Sequence, residues 1–118
     1  MENLDLKCAE TGRAIAEHKG IEEKLVTDAL AVLEEQGVYA FFLYLHARGK
    51  EPGKKVSNTC QDFLRKVPAA SPLLDNGNDV WEGLQKPSED LDRLLFVRDL
   101  LRQILIYARY HMKAKGED

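Results

Sequence analysis

Arg98, Arg102, Arg109 and Lys113 follow one another at steps of four, seven and four residues near the end of the chain. An α-helix turns about 100° per residue, which puts them at roughly 0°, 40°, 20° and 60° on one stripe ~22 Å long. Long cationic side chains spaced this way suit phosphate oxygens, and such binding is salt-sensitive and nearly blind to sequence. Tyr107 and Tyr110 flank the stripe and offer ring faces on which a base can stack, although tyrosines in such places often pack at a core edge. A second basic group, Arg48, Lys54, Lys55, Arg65 and Lys66, lies mid-chain. Like charges at helical spacing repel by a few tenths of a kcal/mol per pair, so the stripe calls for a counter-charge. Two sources stay open: an anionic partner, or acids of the domain itself. The helix dipole accounts for Lys113 and Lys115 but less well for Arg98 and Arg102.

The blocks of charge point the same way. Net charge is only −3. Residues 1–38 hold nine acids and four bases, residues 39–74 six bases and two acids. Residues 75–92 return to six acids against one base, and residues 93–115 hold six bases against Asp99 alone. Opposite signs in alternating blocks allow the two basic elements to form one positive face.

Other chemistry finds few candidates. His18, His46 and His111 are widely spaced, and none has a metal-ligand partner at helical distance. His111 shares the face of Leu100, Ile104 and Ala108 and reads as a core-edge residue; His46 follows an apolar helix, near enough to the basic loop to meet a phosphate or a base. No phosphate-cradling glycine loop, nucleophile elbow or zinc-protease motif occurs. Asp75 to Asp79 resembles a calcium loop, but Gly77 falls at the third position, where a ligand belongs, and the run reads as a turn. Acids cluster in solvated runs, Glu22-Glu23, Glu34-Glu35 and Glu89-Asp90, rather than as an isolated pair for proton transfer. Cys8 and Cys60 stand 52 positions apart and read as two free thiols, with a single disulfide the alternative. The expectation is a binding protein with no catalytic residue, metal site or cofactor.

The elements that must position the stripe are helical. The chain has 118 residues, 44% hydrophobic and 31% charged, which fits one domain able to bury roughly 65% of its unfolded surface. A first helix spans about Leu4 to Glu17, weakened by Gly12. A second runs from Ile21 to Glu35, with Ile21, Leu25, Val26, Ala29, Leu30 and Leu33 on one face. Gly37 closes it as a left-handed residue. Val38 to Ala47 is apolar on every side and reads as a short central helix surrounded by the others. Gly49, Pro52 and Gly53 break the chain before a helix from about Lys54 to Val67. Pro68 and Pro72 open a loop, Asn76-Gly77 signals a turn, and Asn78 or Asp79 caps a short helix with Val80, Trp81 and Leu84. Pro87-Ser88-Glu89-Asp90 starts the longest helix, with Ser88 as cap, running to about Lys115. The fold class is therefore all-α: a compact single domain of about five to six helices. An acidic start without an apolar segment, and no apolar run near 18–20 residues, predict a soluble cytoplasmic protein and no membrane partner.

Two stretches resemble a known family. Leu33-Glu34-Glu35-Gln36-Gly37-Val38-Tyr39-Ala40-Phe41-Phe42-Leu43-Tyr44-Leu45 resembles the segment in which a glycine opens a buried central helix in the small helical subunit of Cmr-type (type III-B) CRISPR effector complexes. Leu94-Leu95 through Ile104-Leu105-Ile106-Tyr107-Ala108-Arg109-Tyr110 resembles that family's leucine-rich last helix with its aromatic and basic end. Gln36 stands where the family has asparagine, and a tyrosine where it has tryptophan. The likeness covers about Leu25 to Lys115. It implies a non-catalytic subunit that stacks head-to-tail with its own copies, contacts other effector-complex protein subunits and lies against the guide–target RNA duplex. Carried onto this chain, Arg98, Arg102, Arg109 and Lys113 would face RNA, with Arg48, Lys54, Lys55, Arg65 and Lys66 as a second group. A helical protein–protein adaptor unrelated to nucleic acid is the alternative.

Overall fold

The computed structural model describes residues 2–74, 81, 84 and 90–116. Five helices carry most of them: α1 (Leu4–Glu17), α2 (Glu23–Gln36), α3 (Val38–Arg48), α4 (Lys50–Lys66) and α5 (Leu91–Gly116). The fold is all-α, with no strand among the described residues. The turn expected at Asn76-Gly77, the cap at Asn78 or Asp79, Val80 and the Pro87-Ser88-Glu89 start lie outside the described residues.

The longest helix forms the spine. Val97, Leu100, Leu101, Ile104, Leu105 and Ala108 recur at helical period along α5, and all are buried. α1 and α2 lie against this face, α3 follows α2, and α4 returns to pack on α3 and α1. The centre thus belongs to α5 rather than to the short apolar α3. Val38, Phe41, Phe42 and Leu45 of α3 are buried, but Tyr39 is 52% and Leu43 47% exposed. A helix of 11 residues packed between α2 and α4 keeps one face in solvent, whatever its composition.

Local chemistry explains the ends. Asn3 caps α1, its side-chain oxygen accepting from the Leu6 amide at 3.0 Å. Gly37 both closes α2 and opens α3: its N–H donates to the Leu33 carbonyl and its carbonyl accepts from the Phe41 N–H, each at 3.0 Å. Its φ of 99° has the expected sign, but ψ of −174° places it in an extended region open essentially to glycine alone. α4 begins at Lys50, earlier than the expected Lys54, because Pro52 falls in the first turn, where its missing N–H costs nothing. Asp90 caps α5: its carboxylate accepts from the amides of Asp92 (3.0 Å) and Arg93 (3.3 Å).

Gly12 has a packing role that outweighs its poor helix propensity. A Cβ there would stand 2.6 Å from the Ile104 carbonyl oxygen and 2.8 Å from the Ala108 nitrogen, so α1 rests directly on the backbone of α5. One turn earlier the Cys8 thiol donates to the Leu100 carbonyl at 3.7 Å, so the two helices run parallel. Cys8 and Cys60 are both buried and free. Burial pushes the Cys8 thiol up to about 11 and the Cys60 thiol up to about 12.

Two outcomes follow from this core. Gly12→Ala should lower stability by about 1–3 kcal/mol through overpacking, although alanine is the better helix former; urea unfolding with an unchanged m-value checks it. The folded state holds both thiol protons up to pH 11–12, whereas the unfolded chain releases them near 9.0. Stability is therefore fully present below pH 9 and should fall above it, by up to about 1.4 kcal/mol per pH unit and thiol. Denaturant melts from pH 8 to 11, with Cys60→Ala showing a shallower decline, measure this.

Candidate nucleic-acid interface

The basic stripe lies where α5 meets α2. Both helices bury an apolar face (Val26, Leu30 and Leu33 on α2), which brings their polar flanks side by side. The Arg102 Nε donates to Glu34 Oε1 at 2.7 Å, and Lys113 Nζ stands 3.0 Å from Glu23 Oε2. Lower numbers on α2 meet higher numbers on α5, so these helices are antiparallel. Eleven residues separate the two acids and eleven the two cations, about three turns on each helix, and both pairs close in register. Of the seven ion pairs among described residues, these two alone join different helices.

Arg102 and Lys113 thus have carboxylate partners from within the domain. Their side chains are each 51% exposed, so either pair contributes about 0–1 kcal/mol. Arg98 and Arg109 differ. Both are half-buried and have no carboxylate partner among the described residues; the Arg109 Nε is enclosed and without a hydrogen bond. Arg109 borders a cleft of about 350 Å³ between α2 and α5, with Arg102, Lys113 and Glu34 around it and Leu30 and Ile106 as apolar lining. Tyr110 borders the same cleft and is 66% exposed. Tyr107 is committed elsewhere: its hydroxyl donates to Asp5 of α1 at 2.8 Å, which pushes the phenol's pKa up.

The second basic group does not join this cleft. Lys54 pairs with Glu51 at 3.5 Å and Arg65 with Asp62 at 3.4 Å, each one turn away on α4. Arg65 also donates to Gln61 Oε1 at 3.3 Å. Lys66 borders a cleft between α1 and α4 with Lys7, Glu10 and Phe63, and Arg48 borders one at the α2–α3 side with Leu43 and Val32. Lys55 is exposed. The expected single positive face is therefore divided, because α4 packs on α3 and α1 whereas the α5 stripe borders α2.

His46 is exposed, but its ring bonds to the neighbouring helix. Its Nε2 lies 2.9 Å from the Ser57 hydroxyl, which also accepts from Gln61 Nε2 at 2.9 Å. Trp81 lies against the imidazole, ring centroids 5.6 Å apart, and Tyr39 stands 5.3 Å from Trp81. An imidazole beside a serine hydroxyl has the spacing of a nucleophile and its base. Ser57 is fully enclosed, however, so its hydroxyl has no path to a substrate, and the contacts satisfy buried polar groups. Sequence reading missed Ser57 and Gln61. Their positions one turn apart among Val56, Cys60, Phe63 and Leu64 were the available signal. His111 is half-buried near Arg13, Glu17 and Lys115, the expected core edge. Among the described residues no three His, Cys, Asp or Glu side chains gather to hold a metal ion, and no helix is long and apolar enough to cross a membrane.

No family model, curated protein or solved structure matches the chain.

Ser57→Ala should leave His46 and Gln61 without their shared partner and lower stability by about 1–3 kcal/mol. Chemical denaturation checks it, and Ser57→Thr, which keeps the hydroxyl, should lose less.

Proposed function

We propose that this chain is a non-catalytic, cytoplasmic RNA-binding subunit of a Cmr-type CRISPR effector complex, acting in antiviral defence. The observation that carries the reading is Arg109, half-buried beside the exposed Tyr110 and without a carboxylate partner among the described residues, with Arg98 further along the same stripe. A guanidinium in that position has lost part of its hydration and gains from an anion that brings its own charge. Phosphate supplies that charge, and the Tyr110 ring adds a stacking surface. Arg102 and Lys113 sit in exposed pairs weak enough for a polyanion to compete with. Arg48, Lys55 and Lys66, with the paired Lys54 and Arg65, would be secondary contacts to the guide–target RNA duplex or to neighbouring subunits. The resemblance of the Gly37 segment and the final helix to the small subunit of those complexes supports the assembly role, including stacking of copies.

A helical protein–protein adaptor is the second reading. The exposed Tyr39 and Leu43 on α3 favour it, because apolar side chains in solvent suit a protein neighbour.

Replacing Arg98 and Arg109 together with glutamate should lower affinity for an RNA duplex about tenfold or more and reduce the salt slope by about 1 per lost phosphate contact. The helical circular-dichroism spectrum should be retained. Undiminished RNA retention by this variant rejects the RNA reading and leaves the adaptor.

A further inference from the structure

The α2–α5 pairs have a consequence for binding that rests on the RNA reading just given. We infer that Glu34 and Glu23 are built-in competitors for the anion, holding Arg102 and Lys113 until phosphate displaces them.

Three observations combine. These are the only ion pairs between different helices among the described residues, and both end on the stripe. Glu34 also borders the cleft that holds Arg109 and Tyr110, so its carboxylate occupies space an incoming phosphate would enter. Both pairs are solvated enough to exchange, with the Glu34 and Glu23 side chains 46% and 39% exposed. A carboxylate presents two acceptor oxygens to a guanidinium much as a phosphate does. Binding RNA then swaps one oxyanion for another at Arg102 and Lys113, whereas at Arg98 and Arg109 it adds an anion where none of the described residues supplies one. The domain therefore has two classes of cation: an uncompensated pair that captures, and a compensated pair that engages only when a polyanion offers phosphates to both ends. The compensated cations stand ~16 Å apart along α5. A short anion reaches one of them; an extended nucleic acid reaches both. Selectivity for long polyanions over single phosphates follows from that spacing.

The acids next to these two, at the N-cap of α2 and in its last turn, supply the control. Glu22 and Glu35 are exposed and have no cation partner among the described residues. Removing one of them changes net charge by the same amount without freeing a stripe residue.

The experiment titrates a fluorescein-labelled RNA duplex of mixed sequence with the full chain and with Glu23→Gln, Glu34→Gln, Glu22→Gln and Glu35→Gln, at low and at physiological salt. Glu23→Gln and Glu34→Gln should each tighten binding about two- to fivefold and steepen its salt dependence, since no displaced carboxylate then takes up a counter-ion. Their double variant should show the product of the two gains, the sites being well separated. Glu22→Gln and Glu35→Gln should gain less. Glu34→Asp, which keeps the charge on a shorter arm, should fall between the wild-type chain and Glu34→Gln. Equal gains in all four glutamine variants would reduce the effect to bulk charge and overturn the inference. So would no gain, or a loss, in Glu23→Gln and Glu34→Gln while the Arg98→Glu/Arg109→Glu variant still loses the RNA; in that case the RNA reading stands alone. If that arginine variant binds as the wild-type chain does, both fall together.

Discussion

α1 lies on α5 at Gly12 with backbone against backbone, and the geometry of the remaining helices depends on that approach. No side chain fits between the Gly12 Cα and the Ile104 carbonyl, so the distance between the helices is set by main-chain atoms. Close packing fixes which side of α5 is covered: Val97, Leu100, Leu101, Ile104, Leu105 and Ala108 are buried, and the rest of the circumference stays outside. α2 covers an adjacent flank, its Leu30 and Leu33 joining the same core. What α1 and α2 leave at the edge of the packed surface is the stripe of Arg98, Arg102, Arg109 and Lys113, the first and third half-buried and the other two exposed. The candidate interface is in this sense the uncovered remainder of a packing problem, oriented by a glycine on another helix.

Electrostatics then divides the stripe. Four cations on one helix face would repel one another by modest amounts. α2 relieves this at two positions and leaves two. The relief is small in energy, because each pair is about half solvated, yet it changes which cations are available at rest. Opposite blocks of charge in the chain thus meet across the α2–α5 boundary instead of forming two separate poles. A net charge of −3 is compatible with a local anion-binding surface for the same reason: the total says little about where the charges meet.

The polar contacts that join exposed His46 to buried Ser57 and Gln61 serve a different end. They fasten α3 to α4, beneath Trp81, in a region where the outer face of α3 carries Tyr39 and Leu43 into solvent. A hydrogen-bonded group inside an apolar contact tolerates few alternative registers, since sliding would leave it unsatisfied. The α3–α4 pair is thereby held firmly enough to present an apolar outer face, the feature that favours a protein neighbour.

The amino-acid sequence by itself determined the helices, because each is written in a local code: apolar spacing, the Gly37 joint, prolines where helices start or stop. It determined the stripe as well, since residues on one helix keep their angular order whatever surrounds them. It misjudged α3, whose uniformly apolar composition hides which face meets a neighbour, and Gly12, whose propensity is local but whose packing is not. Tertiary structure alone decided that Glu34 reaches Arg102 and Glu23 reaches Lys113, and that Arg109 keeps an enclosed Nε. Partners 68 residues apart in the chain are joined by how two helices lie, and helix periodicity carries no term for that.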